Sequence, residues 1–74
     1  MEENKMNKVR EYAKEVGFEV KGKLTRYPEH EYHMDLYTGK KVHSGYICYI
    51  DEAGNEYDVS KKGVCIVDAD GGVI

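Results

Sequence analysis

The sequence of 74 residues lacks tryptophan and has a single phenylalanine, so its aromatic content is almost all tyrosine. Long apolar runs are also missing: the longest, at 64–67, is far shorter than the roughly 20 residues that span a bilayer. The first residues include no apolar stretch of the kind that a secretory signal requires. We therefore expect no membrane segment and predict a cytoplasmic protein.

Strong net charge and abundant cysteine are missing as well. The formal net charge is −3, which argues against a dedicated duplex-DNA binder and is too small to suggest an acidic DNA mimic. The two cysteines, without an export signal, are predicted to be free thiols. A chain of this length buries only roughly 60% of the surface that its unfolded state exposes, so such domains often depend on a metal, a disulfide or a partner subunit.

The first part of the chain has the period of an amphipathic helix, which we predict over residues 3–16. Its apolar positions recur at i, i+3, i+7 and i+10 and form one narrow stripe. Gly17 follows, where a left-handed residue commonly ends a helix. The stripe consists of Met6, Val9, Ala13 and Val16.

From residue 18 onward the apolar period changes to two, which is typical of half-buried strands. Tight turns separate the strands, and 51–55 is the clearest hairpin loop; short connections of this kind join antiparallel neighbours. The predicted fold is α+β, a single domain over 1–74. Its N-terminal helix packs on one face of a small, curled four- to five-stranded antiparallel meander. The predicted strands are 18–27, 31–37, 42–50, 56–60 and 64–67, with a last short pairing at 73–74.

One helix covers only one face of a sheet, so the composition of the second face bears on function. Strict alternation assigns each strand residue to a face. The covered face is predicted to hold Phe18, Val20, Leu24, Tyr32, Met34, Leu36, Val42, Tyr46, Cys48, Ile50, Tyr57, Val59, Val64 and Ile66. The second face is predicted to hold Lys21, Lys23, Tyr27, His33, Tyr37, His43, Ile47, Tyr49, Cys65 and Val67.

The second face mixes tyrosine and apolar residues with two histidines, unlike an ordinary solvated sheet face. Two interpretations stay open: a contact surface for a protein or a second copy of the chain, or a strongly curled sheet that these residues fill. Tyrosine rings suit interface anchors, and histidines add hydrogen bonds and pH sensitivity. The predicted binding residues are Tyr27, His33, Tyr37, His43, Ile47 and Tyr49.

Catalytic and metal-binding patterns are weak. Three histidines, at 30, 33 and 43, could hold zinc from adjacent strands, but their spacing is not specific, and we predict no metal or cofactor. Cys48 and Cys65 fall on opposite faces by alternation, which disfavours a disulfide. Scattered carboxylates near the histidines need no acid–base role, and a chain this short rarely builds a deep pocket, so we predict that the protein is not an enzyme.

A nucleic-acid interface is a second alternative. Lysines and an arginine could form a basic rim around an aromatic sheet, the arrangement on which single-stranded nucleic acid stacks. The motif of an RNA-recognition sheet is absent, and the net charge is negative. The rim would consist of Lys21, Lys23, Arg26, Lys40, Lys41, Lys61 and Lys62, beside Tyr27.

In size, acidic balance and helix-plus-meander pattern, the chain resembles small accessory proteins of bacteria, phages and mobile elements, without a matched motif. Some proteins of that type inhibit host defence enzymes by surface binding. The predicted function is a small non-enzymatic protein-binding module, as an accessory or inhibitory protein or as a homodimer. The alternatives are single-stranded nucleic-acid binding and a metal-stapled domain held by histidines.

Overall fold

The computed structural model describes residues 2–74 and has one long helix followed by six short strands. Helix α1 covers Glu2–Val16, and a 3₁₀ helix covers Pro28–Glu31. The strands are β1 (Thr25–Arg26), β2 (Tyr32–Met34), β3 (Lys41–His43), β4 (Ile47–Ile50), β5 (Glu56–Ser60) and β6 (Gly63–Val67). None of the helices in residues 2–74 has the length and apolar character needed to cross a membrane.

Helix α1 contributes its predicted stripe to the core, except at its last position. Val9 and Ala13 are fully buried against the sheet, but Val16 is 42% exposed at the helix end. Gly17 takes the predicted left-handed conformation, with φ of 77°, and the Phe18 N–H donates to the Ala13 carbonyl at 2.7 Å. This hydrogen bond ends the helix and turns the chain back toward the sheet.

Four strands form an antiparallel sheet in the order β1-β4-β5-β6, and β2 pairs with β3 in a separate two-stranded hairpin. The register aligns Tyr49, Tyr57 and Ile66 across β4, β5 and β6. All three side chains are fully buried on the helix side, where the Phe18 ring meets Tyr57 edge-on at 6.1 Å. The α+β class and the antiparallel sheet beneath an N-terminal helix are thus confirmed.

The predicted strand 18–27 is largely wrong, since only Thr25–Arg26 pairs in the sheet. Gly22 has a φ of 73°, and a side chain at that position would collide with the Glu52 carboxylate. Glu52 accepts a hydrogen bond from the Lys23 N–H at 2.7 Å. The backbone before β1 is therefore bound to the loop after β4 instead of to a neighbouring strand.

The predicted strand 42–50 is interrupted at Gly45, which has a φ of 93°. Before this break β3 pairs with β2, and after it β4 pairs with β1 and β5, so the two halves belong to different sheets. The Ser44 N–H donates to the Glu31 carbonyl at 2.7 Å and fixes the point where the chain passes from the hairpin to the four-stranded sheet. Alternation therefore cannot be counted through residues 44–46.

The face assignment is wrong for β4. Ile47 and Tyr49, predicted on the exposed face, pack in the core beneath α1. Cys48, predicted beneath the helix, lies on the opposite side and aligns with Asp58 and then Cys65 across β5 and β6. The two cysteines thus share a face, roughly 9–10 Å apart as two strand spacings, too far for a disulfide.

The hairpin is the second departure from the predicted faces. Four residues predicted beneath the helix belong to it or to its turn, and all are exposed to solvent. They extend away from the core because β2 and β3 do not join the four-stranded sheet. These residues are Tyr32, Met34, Leu36 and Val42.

Candidate functional site

The 3₁₀ helix covers the β4 end of the second sheet face. Pro28 begins it, as its fixed φ and missing N–H favour, and the Tyr27 ring rests against His30 with centroids 5.6 Å apart. The Tyr46 hydroxyl donates to the His30 carbonyl at 2.6 Å. These contacts hold the 3₁₀ helix over Cys48 and define the base from which the hairpin leaves.

Glu31 is a fully buried carboxylate at the junction of the two sheets. Arg26 Nε and Nη2 each donate to one of its oxygens at 3.0 Å, in a bidentate pair. The Cys48 N–H donates to it at 3.2 Å. The Arg26 bonds outweigh the cost of burial and, with help from His43 and Cys48, lower the pKa of Glu31 from its ordinary 4.5 to about 2.

His43 joins the same junction through both ring nitrogens. Its Nδ1 accepts the Gly45 N–H at 3.0 Å, and its Nε2 lies 2.9 Å from a Glu31 oxygen. Nε2 therefore carries a hydrogen and donates a hydrogen bond to the carboxylate, while Arg26 supplies the balancing charge. The Tyr32 ring packs edge-on against this imidazole at 5.1 Å.

The tip of the hairpin is an ordered turn with apolar side chains in solvent. The Asp35 carboxylate accepts the Tyr37 N–H at 2.8 Å, and its backbone carbonyl accepts the Gly39 N–H at 2.7 Å. Leu36 and Tyr37, inside this turn, are 93% and 99% exposed. These hydrogen bonds fix the backbone of the turn from which both side chains extend into solvent.

A mixed donor cluster lies beneath the 3₁₀ helix on the second face. His30 Nδ1 is 3.0 Å from a Glu56 carboxylate oxygen and 3.9 Å from Cys48 Sγ. One ligand atom from each of these three residues lies within 4.8 Å of the others. Burial and the negative charge of Glu56 raise the pKa of the Cys48 thiol, so the thiol is protonated in this environment.

Asp58 borders the cluster from β5, directly across from Cys48 in the register. Its Oδ1 is buried and has no hydrogen-bond partner among the described residues. Burial and the neighbouring Glu56 raise the pKa of the Asp58 carboxyl. Beyond this point the second face is open, as a groove of about 710 Å³ between Tyr46 and the β5–β6 turn.

The predicted binding residues divide into two groups. Tyr27, His33, Tyr37 and His43 lie on the hairpin or at its base, where Tyr27 is 42% exposed and His33 Nδ1 contacts the Ser44 hydroxyl at 2.8 Å. The expected exposure of the other two is wrong: Tyr49 is fully buried and Ile47 packs against the core.

The three histidines do not converge on a common point. His30 faces Cys48 and Glu56, His33 faces Ser44, and His43 faces Glu31. The structure instead unites His30 with a thiol and carboxylates from two other strands, a set that no local spacing in the sequence marks.

Sequence reasoning also missed Leu36 as a surface residue, because it was counted inside a strand. A turn signal was available: Asp35 followed by Thr38 and Gly39 is a composition typical of a loop whose side chains cap its own backbone.

Comparison with protein-family models, with curated proteins and with solved structures gave no match to this chain.

Proposed function

We propose that this protein is a small, non-enzymatic protein-binding module that contacts its partner with the tip of the β2–β3 hairpin. The observation that carries the proposal is the exposure of Leu36 and Tyr37, at 93% and 99%, in a turn that Asp35 holds in place. These side chains contribute nothing to the core. An ordered tip also loses little conformational entropy on binding, which favours affinity.

The chemistry of the hairpin suits an apolar cleft with a polar rim. Leucine and tyrosine at the tip would act as anchors, each contributing about 1.5–3 kcal/mol on full burial. Met34 and Val42, 62% and 40% exposed on opposite faces of the hairpin, would add apolar contacts to the two walls of such a cleft. His33, Lys40 and Lys41 would supply the rim hydrogen bonds.

A different protein fits this tip better than a second copy of the chain does. A twofold dimer requires a patch that is complementary to itself, and two convex tips do not bury each other. Insertion of the tip into the groove beside Tyr46 in another copy would be a head-to-tail contact, which forms chains or rings. The module therefore suits an accessory or inhibitory protein that occupies a cleft of its target, in the cytoplasm where both thiols stay reduced.

The test is a quantitative affinity purification from the cells that encode the protein. Tagged wild-type protein is compared with the double variant Leu36→Ser, Tyr37→Ser. We expect the specific partner to be depleted at least about tenfold by the double variant, because both anchors are lost. The purified pair should then show the same loss of affinity by calorimetry.

The matched control is Val73→Ser, which removes another apolar side chain that is 73% exposed but lies outside the hairpin, beside β6. It should retain the partner at the wild-type level. An equal loss of the partner in both variants, or full retention of the partner by the double hairpin variant, would overturn the proposal. A concentration-dependent dimer that the double variant dissociates would identify a second copy as the occupant and would also overturn it.

Single-stranded nucleic acid is a weaker second candidate. The aromatic sheet it requires is not available, because Tyr49 lies in the core, and Arg26 is engaged by Glu31. Affinity for a single-stranded oligonucleotide that falls steeply with salt and depends on Lys21 and Lys23 would favour it over the protein partner.

A further inference from the structure

We propose that His30, Cys48 and Glu56, flanked by Asp58, form a binding site for a divalent transition metal of the zinc type. The site joins the 3₁₀ helix to β4 and β5 on the face opposite α1. It is independent of the proposed partner-binding role of the hairpin. It departs from the sequence-based expectation of no metal, in which the three histidines were the candidate zinc ligands.

The distances suit tetrahedral coordination. Zinc bonds of about 2.0–2.3 Å to nitrogen, oxygen and sulfur place ligand atoms roughly 3.2–3.7 Å from one another. In the structure His30 Nδ1 is 3.0 Å from the Glu56 oxygen and 3.9 Å from Cys48 Sγ. Small rotations of the two more exposed side chains, His30 and Glu56, would bring all three atoms to zinc-ligand separations.

Asp58 provides the second, independent observation. Buried carboxylate oxygens in folded proteins almost always have a partner, and an orphan calls for an explanation such as an ion. Asp58 Oδ1 is buried without one among the described residues, and its strand position is directly opposite Cys48. A cation bound by the neighbouring cluster would offset the negative charge beside this oxygen.

The charge balance points in the same direction. Two carboxylates and a thiol share this face, and the imidazole of His30 is the only basic group that contacts them within the described part of the chain. A thiolate with imidazole and carboxylate ligands is a donor set for zinc or cobalt, whereas calcium and magnesium prefer oxygen alone. On binding, the Cys48 S–H bond breaks, the proton leaves to solvent, and the sulfur lone pair binds the metal.

A bound metal would link the base of the hairpin to the four-stranded sheet. His30 belongs to the 3₁₀ helix from which β2 begins, while Cys48 and Glu56 belong to the four-stranded sheet. A metal that bridges them would contribute to the stability of a chain with a small core, as structural zinc does in other small domains.

The test is a cobalt titration of reduced, metal-free protein that carries Cys65→Ser, so that Cys48 is the only thiol. We expect a thiolate-to-cobalt charge-transfer band that saturates at one equivalent and is displaced by zinc. His30→Gln should weaken binding at least about 100-fold, because even losses outside the ligand shell cost 10–100-fold. Asp58→Asn should weaken it less, by about tenfold.

The matched control is His33→Gln, which changes another exposed histidine that contacts Ser44 and none of the cluster residues described, and should leave the affinity unchanged. Zinc should raise the Tm of the wild type and of His33→Gln, and a chelator should reverse the rise. Absence of the band, or equal affinity in His30→Gln and His33→Gln, would overturn the proposal. His30 is exposed, so His30→Gln leaves the core intact. The comparison with His33→Gln therefore tests the metal site without any substitution at the buried Cys48.

Discussion

Glu31→Gln is expected to lower the free energy of unfolding by about 3 kcal/mol, the low end of the range for breaking a buried ion pair. The carboxylate is fully buried and holds the Arg26 fork, the His43 ring and the Cys48 N–H at once. The low end applies because Arg26 and His43 keep 37% and 36% of their side-chain surface in solvent and can rehydrate. Stability for a chain of this size is roughly 4–11 kcal/mol, so the loss is large.

The measurement is urea unfolding followed by circular dichroism, with Glu29→Gln as the matched control. Glu29 belongs to the same 3₁₀ helix but is exposed, and its substitution should change stability by less than about 0.5 kcal/mol. Equal midpoints for the two variants would show that the junction is not a stabilising ion pair. Wild-type stability in Glu31→Gln would likewise contradict the assignment of Glu31 as a stabilising buried charge.

The same residue predicts how stability depends on pH. The pKa of Glu31 falls from its ordinary 4.5 to about 2 on folding, so the folded state favours the ionised form. Its stabilising contribution is complete above about pH 4.5 and is lost as the pH falls toward 2. Wild type should therefore lose more stability than Glu31→Gln between these two pH values, whereas a parallel decline would contradict the shift.

The sequence predicted the elements whose period is continuous. Helix α1 and strands β5 and β6 each lie wholly in one layer. Counting three or four residues along the helix and two along the strands therefore assigns their buried positions, from Val9 to Ile66, with the exception of Val16 at the helix end. The loop at 51–55 and the left-handed Gly17 also follow from local chemistry. In these segments local preference and tertiary packing agree.

The chain between β1 and β4 could not be assigned in this way. Gly45 breaks the alternation, and one such break exchanges the two faces for every later residue of the strand. The break is stabilised by Glu31, which lies 17 positions from Cys48 in the chain. No window of local sequence contains both, so the inward position of Tyr49 depends on a contact that periodicity cannot detect.

The candidate site was predictable only in part. Tyr37 was identified because alternation assigned it to the second face, and it is exposed because it lies in the hairpin turn beyond β2. The cluster of His30, Cys48 and Glu56 unites three separate segments through the folded backbone. Its members carry no spacing signal, so the structure was needed to find them.

Asp51→Ala is expected to lower the free energy of unfolding by about 4 kcal/mol, because it leaves buried donors without an acceptor at about 1–3 kcal/mol each. The carboxylate is only 6% exposed and accepts the Tyr57 hydroxyl at 2.6 Å and the Asn55 side-chain amide at 3.0 Å. It also accepts the Lys21 N–H at 3.0 Å, which ties the segment before β1 to this loop. Burial alone would raise the pKa of Asp51, but these bonds outweigh it and hold the pKa well below its usual range.

The matched control for Asp51→Ala is Asp68→Ala. Asp68 also accepts backbone N–H groups within its own turn, from Asp70 at 3.0 Å and Gly72 at 2.7 Å, and among the described residues its hydrogen bonds stay within that turn. Its loss should cost about 1 kcal/mol, the net worth of such bonds near solvent. Equal destabilisation by the two substitutions in urea unfolding would show that Asp51 merely shapes its loop.

Tyr57→Phe separates the core bond of Asp51 from its loop bonds. Removal of the hydroxyl alone should cost about 1.5 kcal/mol, since a hydrogen bond to a charged acceptor is lost while the ring still fills the core. In the double variant with Asp51→Ala, the two losses should sum to about 1–2 kcal/mol more than the measured cost, because each removes the same bond. Strict additivity would mean that Tyr57 and Asp51 act independently, and that the 51–55 loop is not anchored through the core.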